Sequence, residues 1–171
     1  MKLTPFERLS LVNQFKLLAA ADPKEKRYYD ESIEVLSNGY EIHYPDVFTN
    51  IYEGLSEDDC RYVLDVLTMF WMMRYAYDAL TDRDGIEPQF LEFAGFDSGN
   101  EAALMSYAQW FIERLGQFKD LKRPRGFNSP MPTRSLYERM LEAWNASTDR
   151  NRLSKADLIR ITTAAVRTDG N

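Results

Sequence analysis

Acid–base or nucleophilic chemistry in this chain would have to be built on one imidazole and one thiol, since His43 is its only histidine and Cys60 its only cysteine. A Ser-His-Asp triad or a Cys60–His43 dyad would both need that imidazole beside the nucleophile. The segment Gly39-Tyr40-Glu41-Ile42-His43-Tyr44-Pro45 has none of the local signatures that place one, so a surface His bonded to its neighbours is the expectation. Di-iron sites in helical bundles use paired Glu-x-x-His motifs, which are absent. RNA-cleaving helical domains with an Arg a few residues from a His are excluded too, because no Arg stands in the six residues before His43. A single Cys leaves no internal disulfide and no thiolate-rich zinc site. Asp82-Arg83-Asp84-Gly85 has the look of a calcium loop, but the first and twelfth positions of an EF-hand would fall on Leu80 and Leu91, so a helix-ending turn is the better reading. No metal and no cofactor is expected.

Two polar features stand out. On a helical wheel Asn13 lies amid Phe6, Leu9, Leu17 and Ala20, with Leu11, Phe15 and Leu18 on a second apolar face opposite. A buried carboxamide there must find partners or cost roughly 1 to 3 kcal/mol. It either closes a neighbouring backbone group inside the core or fixes register across a homodimer, as buried Asn does in coiled coils. Lys16, one turn on, is a further candidate binding residue. The second feature is the basic loop Phe118-Lys119-Asp120-Leu121-Lys122-Arg123-Pro124-Arg125-Gly126-Phe127-Asn128. Its Lys and Arg could neutralise phosphates while Phe stacks on a base, or the charges are solvated or paired with a neighbouring acidic face.

The elements that hold these residues read as helices. Leu, Met and Ala outnumber Val, Ile and Thr, nothing alternates with period two, and Gly and Pro fall mostly between apolar runs. Helices are expected near 5–21, 23–37, 57–80, 99–117, 134–146 and 155–166, with helical turns near 46–52 and 88–93. Thr4-Pro5-Phe6-Glu7 and Asp22-Pro23-Lys24-Glu25 mark the first two starts, Ser56 followed by three carboxylates marks the third, and Thr133 and Ser154 cap the last two. The fold class is all-α: one domain over 1–171, a bundle of about six helices around a long, largely buried central helix at 57–80, ending in a short flexible tail at 167–171. That central helix is apolar nearly all round, through Val63, Val66, Met69, Phe70, Trp71, Met72 and Tyr75. A chain of 171 residues barely covers it, so a second copy is expected to close part of it, with Trp71, Met72, Tyr75 and Asn13 as candidate interface residues.

The residue content, 44% hydrophobic and 13% aromatic, excludes a disordered chain, and no window is long and apolar enough to span a membrane. With no apolar stretch at the N-terminus to serve as a signal peptide, a reducing cytoplasm is the expected location.

Several segments in order resemble the YfbU-like family of small bacterial proteins. They are Arg8-Leu9-Ser10-Leu11-Val12-Asn13-Gln14-Phe15-Lys16, Asn38-Gly39-Tyr40, Gly95-Phe96-Asp97 with Glu101, Gly126-Phe127-Asn128, and Tyr137-Glu138-Arg139-Met140-Leu141-Glu142-Ala143-Trp144. The resemblance runs through essentially the whole chain and rests on order and spacing. It implies a cytoplasmic bacterial protein of helical fold without an established catalytic activity, so no catalytic residues carry over. It adds Asp97 and Asn128 to Asn13 as candidate binding residues, while Arg123 and Arg125 stand just outside the matching segment.

The formal charge of −6 conceals an asymmetry. Residues 1–118 carry 10 basic and 21 acidic side chains, and 119–171 carry 11 and 6. The basic third either docks on acidic helices or stays free for an anionic partner. The leading expectation is a non-enzymatic helical module that self-associates, a dimer being favoured, and binds a protein partner. The alternative is a nucleic-acid or polyanion-binding regulatory protein using the loop 119–128. An enzyme working through carboxylates and Asn in a helical cleft is the third.

Overall fold

Most helix starts follow the local chemistry. The Thr4 hydroxyl accepts the Glu7 N–H while Glu7 Oε2 accepts the Thr4 N–H at 2.7 Å, a reciprocal cap that opens α1, Pro5–Ala21, with Pro5 in its first turn. The Asp22 carboxylate accepts the Lys24 N–H at 3.1 Å and holds a turn, so α2 spans Lys26–Asn38 and starts later than expected. It stops at Gly39, whose φ of 70° lets its own N–H and that of Tyr40 return to the Val35 carbonyl. A short α3, Tyr44–Val47, follows. Ser56 accepts the Asp59 N–H at 3.0 Å and opens α4, Glu57–Ala79, with three carboxylates in its first turn.

The expected helix at 99–117 is shorter and interrupted. Asp97 takes the N–H groups of Gly99 and Asn100 into a turn, so α5 is Ala102–Gln109 and then widens into one π-helical turn, Trp110–Arg114. Past Gly116, Phe118 stands in the left-handed region at φ 48°. Helices α6, Arg134–Asn145, and α7, Lys155–Val166, complete the chain, and Ser154 caps α7 through the Asp157 N–H.

This computed structural model describes residues 2–49, 51, 54–122 and 126–166. Among them are seven α-helices and no strand, with one isolated parallel bridge between Phe96 and Asn128. No helix among them is long and apolar enough to cross a membrane. Arg123, Arg125 and the tail at 167–171 lie outside the described residues.

The helices gather into two compact units, 1–54 and 55–171. In the first, α1 and α2 pack together with α3, and Val12, Leu36, Tyr44 and Val47 are buried between them. Arg8 reaches across to the last turn of α2, its Nη1 donating to the Leu36 carbonyl at 3.2 Å. In the second unit α4 is the spine. Val63, Val66, Leu67, Met69, Phe70, Met73 and Ala76 face a large core completed by Phe93, Phe96 and the inner faces of α5, α6 and α7.

Candidate functional site

The outer face of α1 is where the structure departs most from expectation. Asn13 is exposed, not buried, and so are the apolar residues around it: Phe6 at 77%, Leu9 at 58% and Leu17 at 72%. Of the two apolar faces read on the wheel, the one holding Leu11 and Phe15 packs inward with Val12, because α2 covers that side. At 100° per residue, Leu9, Ala20, Asn13, Phe6 and Leu17 span an arc of about 80° with Asn13 at its centre. Lys16 lies exposed at its edge. A core carboxamide needing an internal partner is therefore not what Asn13 is; it is the polar centre of an apolar stripe open to solvent.

Asp97 and Asn128 belong to one junction, where the neighbours of Asp97 bond the segment 127–129. The Phe96 N–H donates to the Phe127 carbonyl at 2.9 Å, the Ser129 N–H to the Phe96 carbonyl at 3.0 Å, and the Ser98 N–H to Asn128 Oδ1 at 2.9 Å. The two backbones come so close at Gly95, φ 88°, that a Cβ there would sit 2.0 Å from the Phe127 oxygen. The Asn100 carboxamide, with the Gly99 and Asn100 N–H groups, holds the Asp97 carboxyl below the usual range.

Beneath this turn lies Glu101, only 8% exposed. It accepts the N–H groups of Asp97 at 2.9 Å, Thr133 at 2.9 Å and Arg134 at 2.7 Å, and the Thr133 hydroxyl lies 3.1 Å away. Burial pushes its carboxyl up, but these donors outweigh that and hold it below its ordinary value. Thr133 stands at the N-cap of α6 as expected, yet its own side chain makes no capping bond and points to the Gly95 carbonyl and to Glu101. Glu101 does the capping, from 32 residues upstream. The Tyr137 hydroxyl also donates to Gly95 O and accepts the Ala94 N–H. With these polar atoms engaged by backbone, the junction is built to hold α5 and α6.

The α4 candidates divide. Met72 is half-buried against the core, while Trp71 and Tyr75, 36% and 69% exposed, stack with ring centroids 6.2 Å apart. Trp71 continues edge-on to Phe118 and from there through Phe111 to the stacked pair Tyr107 and Trp110. Beside Trp71 and Tyr75 is an open cleft of about 390 Å³ with Arg74, Asp78 and Asp120 on its walls. In the basic loop, Phe127 is buried beneath Gly95, so it offers no ring for a base, and Lys122 pairs with Glu113 at 3.2 Å. Two basic side chains of the C-terminal third pair with acidic groups of their own unit, Arg134 with Asp59 at 3.1 Å and Lys155 with Asp82 at 2.6 Å.

His43 lines an open cleft of about 380 Å³ in the first unit with Glu31, Glu34 and Tyr40, its Nδ1 3.2 Å from Asp46. Among the described residues no group of three or more His, Cys, Asp or Glu side chains is placed to hold a metal ion.

Residues 1–164 match the family model described as the YfbU domain. The chain belongs to the YfbU family.

Proposed function

We propose that this YfbU-family chain is a non-enzymatic protein-interaction module that self-associates, and that the outer face of α1 is its contact surface. One observation carries the reading: three large apolar side chains, Phe6, Leu9 and Leu17, project from a single capped helix into solvent and flank one central carboxamide. Leaving such a stripe in water forgoes roughly 1.5 to 3 kcal/mol for each large side chain, a loss that burial against a partner recovers. The exposed Trp71–Tyr75 stack on α4 is a second open apolar surface, suited to a protein partner.

Light scattering and sedimentation at 5 to about 100 μM test it. The wild-type chain is expected to rise in mass with concentration. Leu9→Ala with Leu17→Ala is expected to remove that rise while leaving the monomer folded, because neither side chain is in the core. A wild-type chain that stays monomeric throughout overturns the reading.

A further inference from the structure

Resting on the self-association reading, we infer that two copies pair through antiparallel α1 helices, related by a two-fold axis that passes at Asn13. The stripe is a palindrome. Leu9 and Leu17 stand four residues either side of Asn13, and Phe6 and Ala20 stand seven either side. In an antiparallel pair centred there, each residue meets the partner position equidistant from the axis. Leu9 packs on Leu17 of the second copy, Phe6 on Ala20, and Asn13 on Asn13. A closed two-fold interface requires such self-complementarity, the same patch serving both copies.

Two consequences of polarity favour this arrangement over a parallel pair in the same register. Large meets small at both ends, Phe6 against Ala20, where a parallel pair would crowd two Phe6 rings at one end and leave two Ala20 methyls apart at the other. The helix dipoles also oppose instead of adding. At the axis the two carboxamides are positioned for reciprocal bonds, each Nδ2 donating to the other Oδ1, so the exposed polar centre of the stripe becomes satisfied on pairing. The same face is left open by α2, which covers only the Val12 side of α1.

Cross-linking with a short bismaleimide, in a Cys60→Ser background checked by circular dichroism, reads orientation separately from association. An equal mixture of Leu9→Cys and Leu17→Cys chains is expected to give the mixed 9–17 product at least tenfold over what either chain yields alone. In the antiparallel pair two Leu9 positions lie about 12 Å apart along the axis. Asn13→Cys alone is expected to cross-link to itself. A dominant 9–9 product shows a parallel pair and overturns the inference while self-association stands. A dimer that cross-links at none of the three positions places the contact elsewhere and also overturns it. A monomer by sedimentation overturns the inference together with the reading it rests on.

Discussion

The two units of this chain differ in what their cores take in. In 55–171 polar atoms are drawn inside and satisfied: Glu101 collects the backbone donors of Asp97, Thr133 and Arg134, Tyr137 and Thr133 share the Gly95 carbonyl, and aromatic rings close over them. In 1–54 apolar groups are left outside: Val12 is the one fully buried residue of α1, while Phe6, Leu9, Leu17 and Leu18 are exposed. A unit with a large core can bury a carboxylate, because surrounding structure aims enough donors at it to offset desolvation. A two-helix hairpin with a few buried residues has no opposite layer to cover the second face of α1, so that face is available for contact.

The largest expected effect tests how tightly the second unit depends on its junction. Gly95→Ala adds a methyl where the Phe127 oxygen would be 2.0 Å away and demands φ 88° of an alanine. It is expected to remove about 4 kcal/mol or more from the stability of 55–171. All three tryptophans, Trp71, Trp110 and Trp144, lie in that unit, so urea unfolding followed by tryptophan fluorescence reads it directly. If the contrast between the units holds, the same substitution leaves the far-ultraviolet signal of α1 and α2 in place at urea concentrations where fluorescence has already changed.

A smaller loss is expected at Glu101, with a pH signature. Glu101→Gln puts an amide donor where several N–H groups converge, which should cost about 2 to 3 kcal/mol at pH 7. The folded carboxyl is held below its ordinary value of 4.5, so its contribution is complete above that pH and is lost as pH falls through the folded value. Wild-type 55–171 should therefore lose stability as pH falls below about 4.5, and the Gln variant should lose less over the same interval. A residual slope remains from Asp59, Asp82, Asp97, Glu113 and Asp157, whose carboxyls are also depressed. Urea midpoints at pH 7 and at steps below 4.5 check this; equal slopes would remove Glu101 from the account.

The legibility of the sequence follows the range of each interaction. Caps and starts act over three or four residues, and Thr4, Ser56 and Ser154 opened helices where their neighbours indicated. At Asp22 and Asp97 the same residue type held a turn instead, because an Asp side chain also bonds the N–H two residues on, and this shortened α2 and α5 at their starts. The bond from Glu101 to Thr133 spans 32 residues and has no periodicity to show it. Its one trace was that Gly95-Phe96-Asp97, Glu101 and Gly126-Phe127-Asn128 all fall in segments resembling one family, and these are the segments that touch. For α1 the wheel showed two apolar faces; which one faced inward depended on where α2 packed, and that is a tertiary fact.

The smallest effect expected concerns Asn13, and it bears on why the open face of the first unit should have a polar centre. A leucine at that point would extend the apolar stripe without interruption and bury no amide, so Asn13→Leu should tighten self-association, by about tenfold or 1.4 kcal/mol. It should also weaken selection between antiparallel and parallel pairing, since a stripe apolar without a break from Phe6 through Leu9 to Leu17 slides more freely than one whose carboxamides must meet. Sedimentation gives the first quantity, and the ratio of mixed to like cross-links between positions 9 and 17 gives the second. Tighter association with a reduced ratio would assign Asn13 to orientation at the cost of affinity. An unchanged ratio would move that role to the fit of Phe6 on Ala20. Weaker association would mean that the carboxamide pair contributes more than apolar contact there, and would break the contrast between a unit that satisfies its polar groups internally and one that exposes an apolar face.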